Sequence, residues 1–188
     1  MKTTLAALRL LVALTLLTGL AYPLAVWALG RAFFRDAAEG SLLHRDGQLV
    51  GSALLAQKTT DPRYFWPRPS AADFATVASG ASNQAWTSAR LHADLAARRT
   101  AYAGTPDAAS AIPSDLLTAS GSGLDPEISL AAAQFQIARI AAARRLTAPQ
   151  RNALADLVAQ HAEGGQLSPA RVNVLRLNLA LDTAFPAP

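Results

Sequence analysis

From Leu10 to Gly30 the chain runs for 21 residues without a charge, and 16 of them are apolar. In a helix rising about 1.5 Å per residue this run covers about 30 Å, the thickness of a bilayer core. Lys2 and Arg9 precede it, and Arg31 and Arg35 follow it. Trp27, Phe33 and Phe34 stand at its far end, where an aromatic belt meets the headgroups. Pro23 removes one backbone donor inside the run and predicts a kink near Thr18–Gly19. A cleaved signal peptide is the competing pattern, with a basic start, a Leu-rich core over Leu10–Leu20 and a poor cleavage site at Val26-Trp27-Ala28. Length and the bulky Trp27, Phe33 and Phe34 favour an uncleaved anchor. The expected organisation is a cytoplasmic tail at 1–9, a transmembrane helix at 10–30 and an outward-facing soluble domain at 31–188.

Beyond the anchor the pattern is mixed, and the expected class is α+β, a mainly helical domain with a β-hairpin. Ser41–His44 and Leu49–Leu55 flank Asp46-Gly47, a pair that supplies the positive φ angles of a tight hairpin turn. Thr59 to Ser88 lacks periodicity and carries Pro62, Pro67 and Pro69, so it reads as a long loop. Helices are predicted over Trp86–Ala103, ending at Gly104, over a short piece at Asp115–Ala119, and over Leu130–Arg145 with Ser129 as N-cap. Thr147-Ala148-Pro149-Gln150 is a capping-box pattern opening a helix to about His161, stopped by Gly164-Gly165. Val172–Asp182 carries both strand-like and helix-like spacing; Ser168-Pro169 before it favours helix.

Composition narrows the chemistry. Alanine supplies 43 of the 188 residues, and there is no Cys. Disulfide scaffolds, zinc–thiolate sites and Cys nucleophiles are excluded. The net charge is +4, but the 15 Arg are scattered, so no nucleic-acid partner is expected. His44, His92 and His161 stand alone, and no metal site is expected. Ala119-Ser120-Gly121-Ser122-Gly123 lacks the Gly-Lys-Ser/Thr ending of a P-loop and fails the Gly-x-Ser-x-Gly elbow. It reads as a turn, with Asp125 or Ser129 capping the next helix. An anchored extracytoplasmic hydrolase using Ser120 or Ser122, or an anchored ligand-binding domain, is one functional reading of these features. Tyr64-Phe65-Trp66-Pro67-Arg68 concentrates aromatics and reads as core in part, and otherwise as a partner-binding surface through Tyr64, Phe65, Trp66 and Arg68.

Four stretches then carry a resemblance. They are Thr18-Gly19-Leu20-Ala21-Tyr22-Pro23-Leu24 running into Gly40-Ser41-Leu42; Gly51-Ser52-Ala53-Leu54-Leu55-Ala56-Gln57 with Tyr64-Phe65-Trp66-Pro67-Arg68-Pro69-Ser70-Ala71; Leu117 to Ser129 with Gln136-Ile137-Ala138-Arg139-Ile140-Ala141; and Arg171-Val172-Asn173-Val174-Leu175 with Leu177-Asn178-Leu179-Ala180-Leu181-Asp182. In this order they resemble the KdpC family, the C subunits of bacterial Kdp potassium-transporting P-type ATPases. Two departures are Ala81, where the family has a second Gly, and Trp66-Pro67 before Arg-Pro-Ser.

The resemblance implies a non-catalytic accessory subunit of the cell (inner) membrane. Its implied partners are a KdpA-like potassium channel subunit, a KdpB-like ATPase subunit and a KdpF-like small peptide. It implies help in assembly and a raised ATP affinity of the ATP-hydrolysing subunit. No cofactor is expected on the chain alone, and ATP only jointly with the ATPase subunit. Gln136 matches the family position associated with nucleotide contact, with Arg139 beside it. An outward-facing domain conflicts with that contact, since ATP is cytoplasmic. The alternative role for Gln136 and Arg139 is to satisfy loop backbone around Ser120–Gly123.

Overall fold

The computed structural model describes residues 2–103, 105–106, 111–165 and 167–186. It divides into two compact units, 1–42 and 43–188.

The first unit is a continuous helical rod. α1 (Lys2–Leu16) passes through a π-helical turn (Leu17–Ala21) into α2 (Tyr22–Phe33), followed by one turn, α3 (Arg35–Ala38). No residue of α1 or α2 is buried within the chain. Lys2–Phe33 is long and apolar enough to cross a membrane. The expected kink site is the π turn. The Tyr22 N–H reaches back to the Leu17 carbonyl, and the Thr18 hydroxyl donates to the Leu14 carbonyl at 2.7 Å. The extra residue in this turn relieves the clash of the Pro23 ring with the preceding turn. After the rod, Glu39 pairs with Arg31 at 2.8 Å and Arg35 at 3.1 Å. The hydrogen bond from Arg35, then the charges of both arginines, hold the Glu39 carboxyl below its usual range.

The second unit opens with the expected hairpin, β1 (Leu42–Arg45) and β2 (Gln48–Ser52). Asp46 and Gly47 take φ of +52° and +77°, a type I′ turn. Residues 53–88 contain no helix or strand, in line with the expected loop. α4 (Ala89–Ala103) starts three residues later than Trp86, because the Ser88 hydroxyl accepts the Leu91 N–H at 3.4 Å. Its expected stop at Gly104 lies outside the described residues. α5 (Ser114–Leu117) follows.

A three-stranded antiparallel sheet was not expected. β3 (Glu127–Ser129), β4 (Ala162–Gly165) and β5 (Ser168–Asn173) pair in the order β3-β5-β4. Two sequence expectations change with it. The helix does end near His161 as expected, but Gly164 and Gly165 belong to strand β4, with Gly164 packed on the backbone of Pro169 and Ala170. Ser168-Pro169 opens strand β5, not a helix, and the last helix, α9 (Val174–Ala184), starts where Asn173 Oδ1 accepts the Arg176 N–H. Glu127 and Arg171 cross-link β3 and β5 at 2.8 Å.

The expected helix over Leu130–Arg145 is two. α6 (Leu130–Phe135) and α7 (Ile137–Ala143) meet at Gln136. Ser129 caps α6 as expected, accepting from the Ala132 N–H at 3.0 Å. α8 (Ala148–Gln160) opens on the complete Thr147–Gln150 capping box. The core lies between the sheet and α6–α9. Ile128 and Val172 come from the strands; Ile140, Leu154, Val158, Leu177 and Leu181 come from the helices.

Candidate functional site

The Tyr64–Arg68 stretch lies over this core as a strap without strand partners. From Pro62 to Trp66 its backbone is nevertheless paired, and most of the partners are side chains. Arg139 Nη1 donates to the Pro62 carbonyl at 2.7 Å and the Tyr64 carbonyl at 3.1 Å. Arg144 Nε takes the Arg63 carbonyl at 2.8 Å. Asn178 accepts the Phe65 N–H at 2.8 Å and donates to the Phe65 carbonyl at 3.0 Å. Gln136 does the same for Trp66, at 2.8 and 3.2 Å. Two amide side chains thus stand in for a neighbouring strand on consecutive residues. The arrangement meets the demand of buried backbone for partners where no ladder exists.

Gln136 has no spare bonding capacity. Its amide nitrogen also donates to the Ala132 carbonyl at 3.3 Å, and its oxygen accepts from Arg139 Nη2 at 2.6 Å. Its side chain has no exposed surface, and Arg139 is 4% exposed. Gln136 lies at the junction of α6 and α7. The alternative role of the pair is corrected in its address. They hold loop backbone, but at Pro62–Trp66, not at Ser120–Gly123. That second loop is held by Pro69, whose carbonyl accepts the Ser120 N–H at 3.0 Å, and by Ser122 Oγ, which accepts from the Leu124 N–H at 3.0 Å. The Asp125 carboxylate accepts the Glu127 N–H at 3.0 Å.

The aromatic group is split by burial. Phe65 is fully buried in the core. Tyr64 and Trp66 are half-buried, each with a guanidinium over its ring. Arg144 Cζ sits 4.9 Å from the Tyr64 centroid, and Arg139 Cζ sits 3.8 Å from that of Trp66. Arg68 pairs with Asp125 at 2.9 Å. At the start of the strap, Asp61 and Arg63 form a bidentate pair, the closest contact 2.7 Å. The hydrogen bonds from Arg63 hold the Asp61 carboxyl below its ordinary range.

Three residues of the site escaped the sequence reading: Arg144, Asn178 and Asp182. Arg144 is wholly buried, bonding the Phe185 carbonyl and Asp182, both at 2.6 Å. Asp182 also accepts from the Tyr64 hydroxyl at 3.0 Å and pairs with Arg45. The signal was present in the spacing. Asn178 and Asp182 stand four apart, on one face of α9. Among the described residues no cluster of His, Asp or Glu is suited to a metal ion.

Residues 4–183 match the family model KdpC: K+-transporting ATPase, c chain. The chain belongs to the KdpC family. KdpC relatives align along nearly the whole length. A potassium-transporting ATPase KdpC subunit of Serratia proteamaculans is 50% identical over 180 residues, covering 94% of this chain and 95% of that one. The protein of the same name from Rhodospirillum rubrum is 49% identical over 189 residues, covering 99% and 98%. That from Sorangium cellulosum is 49% identical over 185 residues, covering 95% and 96%. The KdpC match therefore includes both the apolar rod and the strap with its clamps.

Proposed function

We propose that this chain is the C subunit of a potassium-transporting P-type ATPase and acts there as an accessory subunit with no chemistry of its own. The observation that carries the reading is the end-to-end match to chains named potassium-transporting ATPase KdpC subunit. The structure adds support. The rod exposes apolar side chains on every side, as a segment surrounded by lipid and partner helices does. The side-chain amides of Gln136 and Asn178 are spent on holding the strap.

In this reading residues 10–30 cross the membrane, the N-terminus is cytoplasmic and the second unit faces outward. The partners are a KdpA-like channel subunit, a KdpB-like ATPase subunit and a KdpF-like peptide. The subunit assists assembly and raises the ATP affinity of the ATPase subunit. Nucleotide is met only jointly with that subunit. A contact at Gln136 and Arg139 would require the Trp66 strap to leave, so it belongs to the assembled complex and not to the isolated chain.

Purified complexes with and without this chain test the reading. Lower apparent affinity for potassium and ATP is expected on its removal; unchanged potassium-stimulated ATPase activity and affinities would overturn it. Orientation is tested separately with Ser82→Cys, which lies on an exposed loop. An impermeant thiol reagent should label it in spheroplasts, and protection until the membrane is broken would reverse the topology.

A further inference from the structure

We infer that a cavity beside the strap receives an acidic, apolar segment of a partner polypeptide. The cavity measures about 260 Å³, and its walls include Trp66, Pro67, Pro69, Phe74 and Tyr102, with Arg68 and Arg98 among the lining groups. The cationic groups have capacity left. Among the described residues Arg98 makes one hydrogen bond, to the Leu117 carbonyl at 2.6 Å, and no ion pair. Arg68 Nε is buried without a partner, although its Nη1 meets Asp125. Phe74 enters the wall at φ +63°, directly after Asp73 at +49°, a conformation that non-glycine residues rarely adopt. Ser70 Oγ holds it there by accepting the Phe74 N–H at 2.9 Å.

The volume falls below the range of about 300–1,000 Å³ usual for small-molecule pockets and suits one inserted side chain. Trp, Tyr and Arg around a small recess are the residues that anchor protein partners. An apolar side chain thus fills the recess, and an adjacent carboxylate meets Arg98. The inference rests on reading the chain as a subunit of an assembly.

The test uses the full chain in detergent with Trp27→Phe and Trp86→Phe, so that emission reports Trp66. The probes are N-acetyl-Phe-Glu-amide, N-acetyl-Phe-Gln-amide and phenylacetate. Saturable quenching is expected, with the Glu peptide bound about ten-fold more tightly than the Gln peptide. Arg98→Gln should erase that preference. Ala101→Leu, on the exposed side of α4, should fill the recess and abolish binding without unfolding the chain. Equal binding of the two peptides, no saturable change, tighter binding of phenylacetate, or indifference to Ala101→Leu would each overturn the inference. Transport is not part of the readout, so failure here leaves the accessory role standing, and failure of reconstitution leaves this test intact.

Discussion

Gln136 and Trp66, 70 residues apart, bond each other twice: the Gln136 oxygen accepts the Trp66 N–H at 2.8 Å, and its nitrogen donates to the Trp66 carbonyl at 3.2 Å. This reciprocal pair is what a strand neighbour would supply. Gln136 makes these bonds from the junction of α6 and α7, where it ends one helix and opens the next.

Gln136→Leu should therefore destabilise the domain far more than its modest change in volume implies. It leaves the Trp66 N–H and carbonyl short of partners, at a cost of roughly 2–4 kcal/mol. Gln136→Glu keeps the acceptor and loses both donors, so it should fall between the two. Urea unfolding followed by tryptophan emission measures the difference; an unchanged midpoint in the Leu variant would show that the clamp does not hold the strap.

Asp182 pairs with two arginines of opposite exposure, Arg45 at 50% and Arg144 at 0% of the side chain. Asp182→Ala strands the buried Arg144 charge and should cost about 3–5 kcal/mol. Arg45→Ala removes a solvated partner and should cost less than about 1 kcal/mol. Thermal unfolding of the two variants side by side gives the contrast. Similar losses from both would be inconsistent with burial as the deciding factor.

Gly123 has φ +71°, and a Cβ there would sit 3.1 Å from both the Gly80 carbonyl and Ser70 Oγ. Gly123→Ala should cost about 1–3 kcal/mol through strain and crowding. Gly121 faces open space, so Gly121→Ala serves as the neutral control. Chemical denaturation curves for the pair check the assignment.

Asp61 has a depressed folded-state value, first through its hydrogen bonds with Arg63. A depressed carboxylate stabilises fully above its unfolded value, near about 3.9, and the contribution is lost as pH falls through the folded value. A carbon-detected NMR titration should place the Asp61 carboxyl below the ordinary aspartate range. Arg63→Gln should move it upward. An unmoved titration would mean the pair is open in solution.

Local signals in this chain were legible wherever the physics is local. Asp46-Gly47 specified its turn by φ alone, and Thr147 and Gln150 specified a helix start within one turn. Pro23 marked the place where the rod changes its hydrogen-bond register. The sheet was hidden because β3 and β4 have only three and four residues, too few to show a period. Pro169 misled because proline is as acceptable near a strand's start as at a helix's first turn. Of the site, Gln136, Arg139 and the aromatic strap were visible. Arg144 and Asp182 come together only through packing, which removes the Arg144 side chain from water.

The sequence by itself determined the apolar span, the hairpin, the helix caps and membership in the family, because each is written in neighbouring residues or in their order along the chain. Only the tertiary structure decided that Gln136 breaks a helix, that Asn178 and Gln136 replace a strand, and that Arg144 is buried against Asp182. These features depend on groups 38 to 113 residues apart. A buried backbone must be paired, but the composition of a loop does not say which distant side chains will supply the partners.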